Sequence, residues 1–195
     1  SLYLRGLLKG EKVEETRIVD CVTRGINPYT NTDEFFDCAK NPDLRFIVSN
    51  TTEAGIEYKP NQNPDDFNGL TFPGRLTLFM KKRFDEGLGG FILLPCELID
   101  KNGDNLKECI LKYSVDWGYG GGFEKWIETE NHFTNTLVDR IVTGYPRDNA
   151  KEMEQSYGYL DDMIDTAEIF HLWVIEGDKK LAEEIPCLLY TSDAA

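Results

Sequence analysis

An α/β fold with a mainly parallel sheet flanked by helices is what the sequence predicts, and two observations carry the prediction. Short β-rich apolar runs at residues 44–49 and 91–94 each suit a strand covered on both faces. Between and after them apolar residues recur at helical spacing, joined by short links. Strand, helix, strand, helix in that order implies parallel layering.

Taken in order, residues 2–8 read as a first strand, and residues 13–22 mix charged and β-branched side chains like an exposed second one. Residues 32–41 suit a short helix with Phe35, Phe36 and Ala39 inward, stopped by Pro42. Residues 72–87 place Leu76, Phe79, Met80, Arg83 and Phe84 on one helical stripe, with Pro73 near the start and Gly87 at the end. Pro95 ends the second buried run. Asn102-Gly103 then turns the chain into a helix carrying Leu106, Ile110, Tyr113 and Trp117 on one face. The glycines of 118–122 break the pattern. Beyond them 123–130 reads as helix, 133–142 as strand, 148–157 as helix and 170–175 as strand.

Composition bounds the function. The chain has 195 residues, 41% of them hydrophobic, enough for a substantial core. A net charge of −14 argues against a nucleic-acid partner or an anionic membrane surface, which both need a basic face. No apolar run approaches the roughly 20 residues that cross a bilayer. Five cysteines, odd in number and without a C-x-x-C pair, read as reduced thiols of a cytoplasmic protein. The expected ligand is small.

Several motifs fail. Gly118, Gly120 and Phe123 lack the third glycine and the leading strand of a phosphate loop. Asp100, Asn102 and Asp104 imitate a calcium loop, but Asn105 replaces its glycine and Leu111 its glutamate. His132 and His171 have no sequence partners for zinc. No metal is expected, and no cysteine carries a nucleophile signature.

What remains lies at strand ends, where parallel sheets bind ligands. The loop Ser49, Asn50, Thr51, Thr52, Glu53 offers hydroxyls, an amide and a carboxylate to the ribose and amide groups of a dinucleotide; helix capping explains the same composition. Glu97 follows the second buried run and could face the same cleft. The oddest segment is 136–148, where Asp139 and Arg140 interrupt an apolar stretch of Leu137, Val138, Ile141 and Val142. Two ionised groups in such a setting imply either a buried pair or a cleft.

The segments F-I-V-S-N-T-T-E-A-G-I (46–56), F-P-G-R-L-T (72–77), L-P-C-E-L-I-D-K-N-G-D (94–104), N-T-L-V-D-R-I-V-T-G-Y-P-R-D (135–148) and D-T-A-E-x-F-H-L-W-V-I-E-G (165–177) resemble the polyol-specific long-chain dehydrogenases, the mannitol dehydrogenase family. V-D-R-I is shared across that family. T-G-Y-P-R-D and S-N-T-T-E-A-G-I are similar to its tagaturonate-reducing branch.

The resemblance implies a Rossmann-like domain over residues 1–186 that binds NAD, truncated at both ends, and no metal. It implies reversible NAD-dependent reduction of D-tagaturonate to D-altronate in hexuronate catabolism. A fructuronate- or mannitol-type activity, or a catalytically silent binding piece, are the alternatives. Ser49 to Glu53 would contact the cofactor. Asp139, Arg147 and Glu97 would line the substrate site, with Arg147 clamping a uronate carboxylate and Arg140 supporting Asp139. The family's glycine-rich first βα unit and its K-x(4)-N-x(2)-H helix have no counterpart here, so the catalytic lysine and the C-terminal helical domain are expected elsewhere in a parent chain. Leu98 stands where mannitol dehydrogenases have asparagine. Residues 187–195 are read as a tail foreign to the fold.

Overall fold

The computed structural model describes residues 1–185, so the expected tail lies outside them. In chain order the elements are β1 (Leu2–Leu8), β2 (Glu11–Arg17), α1 (Thr32–Ala39), β3 (Phe46–Ser49), α2 (Phe72–Asp85), β4 (Ile92–Pro95), α3 (Asn102–Asp116) and α4 (Gly121–Glu130). There follow β5 (His132–Phe133), β6 (Thr136–Asp139), β7 (Val142–Gly144), α5 (Ala150–Tyr157), β8 (Asp165–Glu168), β9 (Leu172–Ile175) and α6 (Lys179–Glu184). They fall into two compact units, residues 1–25 with 138–173, and residues 26–137 with 174 onward.

The larger unit holds the expected parallel layering. Its sheet runs β3-β4-β5, with Phe46 opposite Ile92 and Ile92 opposite His132, both pairings parallel. Apolar faces of α1 to α4 converge on β4 in one core that includes Ala39, Met80, Phe91, Leu93, Ile110 and Phe123. Helix α2 starts where the Thr71 hydroxyl accepts from the Gly74 amide beside Pro73, and stops at Gly87, whose φ of +68° suits glycine.

Arg83 is the polar exception on that stripe. Only 3% exposed, it donates to the carbonyls of Gly89 (2.8 Å), Ala39 (3.2 Å) and Asn41 (2.6 Å) and lies 4.5 Å over the Phe91 ring. One guanidinium thus satisfies loop carbonyls at the ends of α1 and α2.

The smaller unit has a mixed four-stranded sheet, β2-β1-β8-β7. Only β1 and β8 run parallel; β1 with β2, and β7 with β8, are antiparallel. Strands β6 and β9 pair as a two-stranded sheet.

Several expectations change. The stretch 133–142 is not one strand: Thr134 still bonds Leu93 O, but Thr136 and Arg140 turn their bonds to other segments, so β5, β6 and β7 join three different sheets. The second strand stops at Arg17 instead of Val22, and the last begins at Leu172 instead of Phe170. Strand β8, with its polar sequence D-T-A-E, went unread. Asn102-Gly103 opens α3 rather than turning the chain; the turn is made by Lys101 at φ 51°. The run 44–49 is not covered on both faces, since Val48 is 57% exposed.

Replacing Arg83 with methionine should leave the Ala39 and Gly89 carbonyls without donors, Asn41 O keeping only the Leu44 amide, and lower stability by about 3 kcal/mol, read from the denaturant midpoint. An alkaline titration should also find two slow tyrosines. The hydrogen bond from Tyr58 to Asp116 and the burial of Tyr119 push each hydroxyl up to about 12 from the ordinary 10.0. Folding favours their protonated forms, so this contribution is complete below pH 10 and lost as pH rises toward 12, visible as tyrosinate absorbance paralleling loss of stability.

Candidate strand-end site

The carboxyl ends of β3, β4 and β5 are joined by a buried polar chain. Glu97, just past β4 and 2% exposed, turns its carboxylate toward the loop after β3. Its Oε2 accepts from Ser49 Oγ at 3.0 Å, and its Oε1 accepts from the Thr51 amide (3.0 Å) and Thr51 Oγ1 (2.9 Å). The Cys96 amide donates to Ser49 O at 2.7 Å, extending the β3–β4 ladder.

Asn102 continues the chain on the other side. Its Nδ2 donates to Pro95 O (2.9 Å), Glu97 O (3.0 Å) and Thr136 O (3.0 Å), while its Oδ1 accepts from the amides of Gly103 and Thr136, each at 2.9 Å. Thr136 Oγ1 donates to Pro95 O. Gly103 permits this closeness, because a Cβ there would lie 2.3 Å from Thr134 O. Asn102 and Thr136 were missed as site residues. The signal was Asn102-Gly103 itself, read as turn chemistry when it marks a close approach of helix to strand.

Glu97 therefore does not project freely into a cleft, as its place after an apolar strand suggested. It borders a concavity of about 550 Å³ shared with Leu98, Lys101, Asn135, Leu137 and Glu176, but its oxygens are taken by the neighbouring loop. Of that loop, Ser49 is buried and Thr51 tied down, whereas Asn50, Thr52 and Glu53 are exposed. Gly55 closes it: a Cβ there would sit 1.7 Å from Thr51 Oγ1.

Asp139, Arg140 and Arg147 belong to the smaller unit. The buried-pair expectation fails, since Arg140 Nε donates to Glu168 O (3.1 Å), Asp139 is exposed, and the two form no ion pair among the described residues. Leu137, Ile141 and Val142 are exposed as well, so these apolar neighbours do not draw Asp139 out of water, while half-buried Arg140 is satisfied by the Glu168 carbonyl. Arg147 is exposed at a concavity of about 380 Å³ that it lines with Tyr3, Arg5, Thr143, Asn149 and Met153.

Burial pushes the Cys96 and Cys109 thiols up, against any role as nucleophiles. Among the described residues no His, Cys, Asp or Glu group is placed to hold a metal ion, and no helix is long and apolar enough to cross a membrane.

A family profile described as "Mannitol dehydrogenase Rossmann domain" matches residues 1–187. Altronate oxidoreductases of Shigella flexneri and Cronobacter sakazakii (strain ATCC BAA-894) are each 47% identical over 187 residues, 93% of this chain and 39% of theirs. That of Escherichia coli O6:K15:H31 is 46% identical over the same share. The chain thus spans about two fifths of the length of these relatives. Among solved structures, D-sorbitol dehydrogenase in substrate-free form superposes with a TM-score of 0.73 at 22% identity, covering 91% of this chain and 39% of that one. A Pseudomonas fluorescens mannitol 2-dehydrogenase ternary complex with NAD and D-mannitol gives 0.74 at 19% identity, covering 91% and 38%. At those identities the likeness shows the fold.

Changing Asn102 to alanine should remove its amide from the carbonyls of Pro95, Glu97 and Thr136 and its oxygen from the Gly103 and Thr136 amides, and cost about 3 kcal/mol in a denaturant titration. Asn102→Asp should cost more, because a carboxylate oxygen would then face three carbonyl oxygens.

Proposed function

Because the chain belongs to the mannitol dehydrogenase Rossmann-domain family, we propose that it is the cofactor-binding part of an NAD-dependent altronate oxidoreductase that interconverts D-tagaturonate and D-altronate in hexuronate catabolism. The observation carrying this reading is 46–47% identity to altronate oxidoreductases over 93% of the chain. The remaining part of such an enzyme would supply the catalytic helical domain, so residues 1–186 alone are inactive in catalysis. The parent is a cytoplasmic enzyme acting on a small hexuronate.

The residues present fit the cofactor in one respect. Beyond the carboxyl end of β3, Asn50, Thr52 and Glu53 expose an amide, a hydroxyl and a carboxylate, donors and acceptors suited to ribose and amide groups. NAD supplies the hydride chemistry when bound; the protein's share is to hold and orient it. Ser49 and Thr51 serve that loop from below.

Asp139 is assigned to the substrate side, with Arg140 holding its strand through Glu168. Arg147 is assigned to the uronate carboxylate. In a chain of net charge −14, the concavity that Arg147 lines with Tyr3, Arg5 and Asp148 carries two cations to one carboxylate, a local exception to the overall balance.

The test uses the full-length parent, following NADH oxidation with tagaturonate, fructuronate and fructose. Tagaturonate should give the highest kcat/KM; a preference for fructuronate or fructose would reassign the enzyme within its family. Arg147→Ala should lower kcat/KM for tagaturonate by roughly 10- to 100-fold while leaving an uncharged ketose nearly unchanged. Equal losses on both substrates would remove Arg147 from carboxylate binding.

A further inference from the structure

We propose that Glu97 is a positioning residue, the strut that holds the 49–53 loop in place, and not a substrate ligand; its effect on cofactor affinity rests on the proposed reading of that loop as cofactor surface. Ser49 is anchored in the β3–β4 pairing and Ile56 packs against the core. Between these two anchors residues 50–54 are exposed, and the only internal bond is the Gly55 amide on Thr52 O at 2.8 Å. Among the described residues, every hydrogen bond from 50–55 to another part of the chain ends on Glu97 Oε1. A loop with so little apolar burial owes its order to those bonds.

The strut is itself fixed. Asn102 Nδ2 holds the Glu97 carbonyl at 3.0 Å while also holding Pro95 O and Thr136 O. The grip on the first loop thus transmits the position of β5's end and of the start of α3. No cation pairs with Glu97 among the described residues, so its contribution is that of an acceptor with two oxygens at fixed height.

Shape and charge can be separated at this site. In Glu97→Gln, an amide oxygen in the place of Oε1 keeps both Thr51 bonds, and the amide nitrogen can donate to Ser49 Oγ, whose hydroxyl rotates to accept. Glutamine should therefore replace the strut without its charge, and alanine should abolish it.

Two readouts decide the matter: hydrogen exchange at the two bonded amides of the loop, Thr51 and Gly55, in the purified chain, and NADH affinity by calorimetry in the full-length parent. Glu97→Ala should speed exchange there by at least about tenfold and weaken NADH by about tenfold, while Glu97→Gln stays within about threefold of the parent in both. Ser49→Ala with Thr51→Val, which removes the hydroxyl donors from the loop side, should shift exchange in the same direction even if Glu97→Ala folds poorly. Val115→Ala, at an exposed position of α3, should change neither readout.

Unchanged exchange in Glu97→Ala overturns the proposal, and so does a glutamine variant as defective as alanine, which would make the charge decisive. Faster exchange in Glu97→Ala with NADH affinity of the full-length parent unchanged would instead count against the cofactor reading of the loop, while leaving Glu97 as the residue that orders it.

Discussion

A buried carboxylate, paired with no cation among the described residues, constrains the whole upper edge of the parallel sheet. Parallel strands leave their carboxyl ends to loops, and those loops carry backbone groups that cannot be buried without partners. Glu97 and Asn102 supply the partners: one accepts from the loop after β3, the other bonds the ends of β4 and β5. Desolvating such groups is costly, and the cost is offset only when each lone pair and proton is used. No buried side-chain polar atom among the described residues lacks a partner.

The remainder of the larger unit follows from that edge. With the strand ends tied by polar bonds, the apolar body of β4 is left to pack against four helices, and Arg83 closes the loops at the ends of α1 and α2. The polar chain leaves outside it the exposed side chains of 50–53 and the concavity bordered by Leu98, Lys101 and Asn135. Rigid support below and free polar groups above is the arrangement by which a scaffold presents a binding loop.

Helices α1 to α3 and the two apolar runs were legible because their apolar period is strong and most of their stops are chemical: Pro42, Gly87, Pro95 and the glycines of 118–122; α6 (Lys179–Glu184) went unread. The stretch 133–142 misled because β-rich composition says that a residue favours extended backbone and nothing about which strand it pairs with. Strand β8 was invisible for a related reason. D-T-A-E has no alternation to read, and it is a strand because β1 and β7 flank it.

The candidate site divides along the same line. By itself the sequence determined the family, the α/β class and the residue types gathered at strand ends, because motif order and hydrophobic period are properties of the chain read in one dimension. Tertiary structure decided what each polar group does. It turned Glu97 inward onto Ser49 and Thr51, made Asn102 a junction of three segments, and left Asp139 exposed and unpaired with Arg140 among the described residues. Burial and hydrogen-bond partnership depend on residues about 30 to 50 positions apart meeting in space, as Ser49 and Glu97 (|i−j| = 48) or Asn102 and Thr136 (|i−j| = 34) do, and no local pattern encodes that distance.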